Sequence, residues 1–357
     1  MKILVWHWGR HGAGPRFAVE LAAALHRLPG ITAWLSLAET AEILTLPGMP
    51  KNDLPVPTYT SRAGLAGRWL GAPAQLARLN RALQSFSPDL AICAMPAMLD
   101  KLMLIALRRR GIPALVSAHD ARPHPGDGGW LRAAWDRATL RRADAVAVLS
   151  QHVGAALKIS APMLHLSHPP FPMPPIPPVR AHGGPLRVLS FGRMRHYKGL
   201  DLLAETLRAL PPEWERRVVG AGPAVMAAPG LCIENRYVAE AELPALFAWA
   251  DVLLLTHRSA SQSGVAAMAL GASWWPPMWV ACANNWPPCQ GSYCARPTPP
   301  PWPPHCAVCL PRPPSAWMLT QPGRRWPRAC WRSCAPRGLA DGRRGDMIAP
   351  CNGKKDR

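Results

Sequence analysis

Within FGRMRHYKG, from Phe191 to Gly199, stand a glycine and two cations whose spacing suits chemistry: Gly192, Arg193 and Lys198. The apolar run PLRVLS leads into them, and LDLLAETLRAL, with apolar residues at helical spacing, follows. Gly192 therefore falls where a strand must turn tightly, and the cations project near a helix start. Arg binds oxyanions through paired N–H donors and Lys as a point charge, so together they can neutralise a diphosphate there. By spacing alone the same residues equally make a solvated basic loop.

Three further groups invite a chemical reading. Gly9, Gly12 and Gly14 in GRHGAGP follow an apolar N-terminal run and would let backbone approach a sugar or phosphate, or simply turn the chain. Ser261, Gln262, Ser263 and Gly264 open a predicted helix whose free N–H groups suit phosphates. His119, in SAHD, ends a predicted strand; it is a cleft imidazole or a capping one. His119, Asp120 and His124 also suggest a metal set, but Pro123 and Pro125 favour a turn around His124.

The elements that must position these residues alternate. MKILVWHW, ITAWLSL, DLAICAM, ALVSAHD and AVAVLS read as strands, with helical stretches such as RFAVELAAALHRL and LDKLMLIALRRRG between them. That order predicts an α/β chain with a parallel sheet. HPPFPMPPIPPVRAHGG is too rich in Pro and Gly for either element and reads as a linker. A second series then begins: PLRVLS, ERRVVGAG, LCIENRY and DVLLLT as strands, ELPALFAWA as a helix. The expected plan is two Rossmann-like domains with a cleft between them. Residues 1–167 form the acceptor domain, 168–185 the linker and 186–272 an incomplete donor domain; 273–357 are an irregular tail.

GRMRHYKGLDLL resembles the G-R-x-x-x-x-K-G segment of family 4 retaining glycosyltransferases, which have the GT-B fold. SAHDARPHPGD, ADAVAVLSQHV, LSHPPF, RYVAEAELPALFAWADVLLLTHR and ASQSGVAAMAL resemble that family in the same order, over most of residues 1–272. The resemblance implies transfer of a sugar from a nucleotide-diphosphate donor held by the C-terminal domain to a glycan or lipid-linked acceptor on the N-terminal domain. Arg193 and Lys198 would stabilise the departing diphosphate, which requires no metal and no further cofactor. His119 would face the transferring sugar; Gly192, Gln262, Ser263 and Gly264 would bind donor, and Gly12 and Gly14 would line the acceptor loop. The family's usual pair of Glu residues is missing, since its positions hold Ser261 and Ala269 and no carboxylate occurs between Val252 and Ala272.

Charge and cysteine usage narrow the setting. The formal net charge is +20, of which residues 273–357 contribute +9 and the rest +11. A basic body suits an anionic nucleotide, acidic glycans or an anionic membrane face; nucleic acid is not an expected partner. Only Cys93 and Cys232 precede the tail, which fits a reducing cytoplasm. The N-terminal apolar run is too short for a secretory signal, and no run is long enough to span a bilayer, so contact with the inner membrane face would be peripheral.

The tail is of another composition. Residues 273–357 hold eight of the ten Cys, eight of the sixteen Trp and seventeen of the forty-three Pro, against three carboxylates. Cys306, Cys309, Cys330 and Cys334 approach a structural zinc pattern, giving a zinc-binding interaction module as an alternative of a different class, and the Pro and Trp suggest a polyproline ligand. Single-codon Trp and Met let the reading frame be shifted on paper. From Trp274 to Val280 the shifted residues become Val, Ala, one of Ala/Ser/Thr/Pro, one of Asp/Asn/His/Tyr, Val and Gly, which resembles a segment of the same family. The tail is therefore read as frame-shifted coding sequence. A catalytically inactive remnant is the corresponding alternative for the whole chain.

Overall fold

The structure, a computed structural model, describes residues 1–121, 129–166, 170–171, 185–222, 231–257, 263–271, 279–283, 293–295 and 306–310. The first half alternates as anticipated: β1 (Lys2–His7), α1 (Ala13–His26), β2 (Thr32–Leu37), α2 (Arg62–Leu70), α3 (Ala72–Phe86), β3 (Leu90–Cys93), α4 (Asp100–Arg109), β4 (Ala114–Ala118), α5 (Gly129–Leu140), β5 (Ala145–Val148), α6 (Gln151–Ala156) and β6 (Met163–His165). Its six strands are parallel, in the order β2-β1-β3-β4-β5-β6. Both faces are covered, and β1 shows why the run reads as continuously apolar. Ile3 and Val5 pack with α1 residues Phe17, Ala18 and Val19, while Leu4 and Trp6 pack with Leu79 and Leu83 of α3 and Met103 of α4.

The second series comprises β7 (Arg187–Phe191), α7 (Leu200–Ala209), β8 (Glu215–Val219), β9 (Leu231–Glu234), α8 (Leu243–Trp249), β10 (Val252–Leu255), α9 (Gly264–Gly271), β11 (Trp279–Ala283), β12 (Tyr293–Ala295) and β13 (Cys306–Leu310). The sheet order is β12-β13-β11-β10-β7-β8-β9. Strands β9, β8, β7, β10 and β11 are parallel, and β13 is antiparallel to both β11 and β12. Along β10, Val252 and Leu254 join Leu203 and Leu207 of α7, whereas Leu253 and Leu255 join a cluster that also holds Phe247, Met268 and the α1 residues. One apolar cluster thus runs between the two sheets. Phe171, in the Pro-rich segment, is buried in it and donates its N–H to the Ala267 carbonyl at 3.0 Å.

The expectation of an irregular tail is corrected at three segments, since β11, β12 and β13 lie within residues 273–357. The physical reason is local: WVACA and CAVCL are short apolar runs without proline, and β10 presents an edge whose N–H and C=O groups need partners. The second sheet consequently continues past β10. Among the described residues no helix is long and apolar enough to cross a membrane.

Candidate functional site

In an open parallel sheet, ligands gather at the carboxyl ends of the strands where the strand order reverses. In the second sheet that point lies between β7 and β10, because β8 follows β7 on one side and β10 flanks it on the other. A small cavity opens there, lined by Gly192, Met194, Lys198, Leu255, Thr256 and His257 among others.

Gly192 leaves β7 with φ +116°, a conformation that side chains other than glycine's rarely adopt. A Cβ at this position would lie 2.6 Å from Lys198 Nζ and 3.4 Å from Val265 Cγ2 of α9. The absent side chain is therefore the space in which the ammonium group sits. The loop is pinned from three directions: Gly192 N–H donates to Val219 O (3.0 Å), Met194 N–H to Ala221 O (2.8 Å), and the Thr256 hydroxyl to Lys198 O (2.8 Å). Close approach continues beneath it, where a Cβ at Gly220 would come within 2.0 Å of Gly192 O.

Lys198 ends a single 3-10 turn, His196–Lys198, and Gly199, left-handed at φ 64°, caps α7. Burial pulls the Lys198 pKa down to about 8, and the neighbouring Arg193 guanidinium lowers it further in the same direction. Arg193 itself is exposed. Lys198 is thus a poorly hydrated ammonium group beside a second cation.

Two helix N-termini converge on this loop. Ser263 starts α9, and its hydroxyl oxygen accepts the Ala266 N–H at 3.1 Å, so Ser263 acts as the helix cap. A Cβ on Gly264 would stand 3.0 Å from Ala13 Cβ in the first turn of α1. Gly12, at φ 80°, is the residue before α1 and has open space where a Cβ would go. The structure thereby brings Gly192 and Lys198 beside the first turn of α9, which Ser263 and Gly264 open, and that turn meets the start of α1, which Gly12 precedes. Gln262 lies outside the described residues.

Gly14 differs from its sequence reading. It is buried inside α1, and a Cβ there would lie 2.3 Å from His7 Nε2; at Gly9 the separation would be 2.4 Å. These glycines make room for an imidazole. His7 is buried and donates from Nδ1 to Met95 O (2.7 Å); burial holds its pKa down at about 4, against the pull of that hydrogen bond. His7 is accordingly neutral at pH 7.

His119 follows β4 on the first sheet, half-buried, with Nδ1 3.4 Å from Asp120 Oδ2. Of the zinc candidates, Cys306 and Cys309 belong to β13, and Cys330 and Cys334 lie outside the described residues. Among the described residues no group of three or more His, Cys, Asp or Glu side chains is arranged to hold a metal.

Sequence reading missed the contacts that hold the two halves together around the glycine loop. Arg16, in α1, donates to Glu240 Oε2 from Nη2 (2.6 Å) and Nε (3.2 Å), both side chains being almost fully buried. Glu42 accepts from His11 Nδ1 (3.0 Å), from the Glu240 N–H (3.0 Å) and from the Tyr237 hydroxyl. Burial pushes the Glu42 carboxyl up, but the hydrogen bonds from Tyr237, His11 and Glu240 outweigh it and leave its pKa below the ordinary range. Thr256 and His257 were also missed; their only signal is position, directly after the strand that flanks β7.

Comparison with known proteins agrees with this fold. Residues 12–158 match the glycosyl transferase 4-like domain. No curated protein matches the chain. Among solved structures, Anabaena HepE in complex with UDP and glucose is 17% identical with a TM-score of 0.54, over 76% of this chain and 78% of that one. A UDP-N-acetylglucosamine 2-epimerase from Listeria monocytogenes, described as putative, is 13% identical with a TM-score of 0.54 over 81% of each chain. The lipopolysaccharide outer core galactosyltransferase WaaB in its apo form is 13% identical with a TM-score of 0.50, over 79% and 80%. At these identities the likeness establishes the fold: two Rossmann-like halves of the GT-B type.

Proposed function

We propose that this chain, a GT-B protein whose residues 12–158 match the glycosyl transferase 4-like domain, transfers a sugar from a nucleotide-diphosphate donor to a glycan or lipid-linked acceptor, with retention at the anomeric carbon. The observation that carries the reading is Lys198, desolvated beneath Gly192 at the switch point with Arg193 beside it. As the glycosidic bond breaks, negative charge develops on the departing diphosphate. Lys198 and Arg193 neutralise it, and the N–H groups at the start of α9 add donors. His119, from the first sheet, faces the transferring sugar. The charge stabilisation comes from these residues, without a metal.

The UDP bound in the HepE complex supports a nucleoside-diphosphate leaving group here. An anionic membrane face at the cytoplasmic side is the setting proposed for a lipid-linked acceptor. The composition break after residue 272 supports a shifted reading frame in the tail, and sequencing the coding DNA across codons 268–280 tests it.

The test of function is a transfer assay over a panel of nucleotide-diphosphate sugars. Arg193→Ala and Lys198→Ala should each lower turnover about 100-fold, the equivalent of about 3 kcal/mol of charge stabilisation. His119→Ala should impair transfer while nucleoside diphosphate binding stays nearly intact. Nucleotide binding without turnover by any donor would favour the inactive remnant, and unchanged rates in both cation variants would overturn the site assignment.

A further inference from the structure

Helix α2 has no buried residue. It ends in Leu70, which is 85% exposed, and α5 begins with Trp130 and Leu131, 76% and 65% exposed; these are the three most exposed large apolar side chains among the described residues. The two helices touch through Trp69 and Trp135, whose rings meet edge-on at 5.5 Å. Leu131 precedes Trp135 by four residues and so shares its side of α5. Lys101 Nζ sits 3.3 Å above the Trp135 ring.

The charges around this apolar rim have one sign. Residues 54–88 contain four arginines and no carboxylate. Residues 129–142 contain four more, with Asp136 as the sole carboxylate, and Arg132 already engages it at 2.8 Å. Arg62, Arg68, Arg137, Arg141 and Arg142 are exposed.

We propose that α2 and α5 form a docking surface for an anionic phospholipid bilayer. Exposed Trp and Leu side chains enter the boundary between headgroups and acyl chains, and the arginines pair with lipid phosphates. A nucleic acid would use the arginines but gain nothing from Leu70, whereas a bilayer uses both sets. The placement also has a purpose. Helix α5 is the next helix after β4, the strand that His119 follows, so the docked edge neighbours the place where a lipid-linked acceptor would enter. That purpose rests on the transferase reading; the docking does not.

Flotation of the full chain with vesicles tests it. The chain should bind phosphatidylglycerol-rich vesicles and not phosphatidylcholine alone, with binding weakened by salt. Arg62→Glu and Arg68→Glu should each reduce the partition coefficient roughly fivefold or more. Leu70→Ser with Trp130→Ser and Leu131→Ser should reduce it at least tenfold, with circular dichroism unchanged because all three positions are exposed. Absence of binding to anionic vesicles, binding indifferent to both variant sets, or capture of duplex nucleic acid in place of vesicles would overturn the surface. Loss of nucleotide-sugar turnover with vesicle binding retained would instead count against the transferase reading alone, as would vesicle binding unchanged in Lys198→Ala without any activity in the parent.

Discussion

Removing either partner of the Arg16–Glu240 pair should cost far more than removing both. The two side chains are 6% and 5% exposed and joined at 2.6 Å, across 224 residues of sequence. Arg16→Met takes the cation from a buried carboxylate and Glu240→Leu takes the carboxylate from a buried guanidinium, each at about 3 to 5 kcal/mol. Replacing both with apolar groups of similar size removes both desolvation costs, so the double variant should fall within about 1 to 2 kcal/mol of the parent. The coupling in a double-mutant cycle is then at least about 4 kcal/mol. Urea unfolding followed by tryptophan fluorescence supplies the free energies, and limited proteolysis reports whether the halves separate before they unfold. Additive losses in the double variant would refute the pairing and with it the way α1 is fixed against the second half.

Other outcomes follow from the same geometry. Lys198 has a pKa of about 8 in the free protein and must be charged to bind a diphosphate, so nucleoside diphosphate affinity should fall about tenfold per pH unit above pH 8; affinity constant from pH 7 to 9.5 would contradict this. Burial pushes the Asp100 carboxyl up to about 7, so its contribution to stability declines as pH rises from about 4 to 7, while His7, held at about 4, contributes stability that grows from pH 4 to 6.5. The two trends oppose one another, and Asp100→Asn should leave a net rise in unfolding free energy between pH 4 and 6.5 that the parent shows weakly; a flat profile in the variant would sink the account of His7. Gly220→Ala, whose Cβ would meet Gly192 O at 2.0 Å, should cost about 3 kcal/mol. Gly111→Ala, left-handed at φ 65° but with open space, should cost about 1 kcal/mol; equal thermal shifts in the two would show that the contact under Gly192 is not tight.

Much of this architecture was legible because it depends on short-range pattern. The strands of β1, β2, β7 and β10 announce themselves as apolar runs, and Gly192 follows β7 where a turn is required. Lys198 was legible as a cation near a helix start, but its desolvation was not, since that depends on β7, α7 and β10 closing around it. The glycine loop was half legible. Gly12 does stand open at the head of α1, whereas Gly14 is small because His7 occupies the neighbouring space, a contact between separate elements that no spacing encodes. Strand β6 is only three residues long, too short for alternation to show. Arg16 and Glu240 are unremarkable helix and turn residues until the fold brings them together. The tail strands were missed because proline-rich neighbours obscure WVACA and CAVCL, and their pairing depends on an edge that β10 supplies.

The central claim is that Arg193 and Lys198 hold a nucleoside diphosphate at the carboxyl ends of β7 and β10. Isothermal titration of the full chain with a panel of nucleoside diphosphates, beside Arg193→Ala and Lys198→Ala, measures it directly. The account predicts saturable one-to-one binding of at least one of them, weakened at least tenfold in each variant. No binding by any member of the panel, or binding that both variants retain in full, would contradict it.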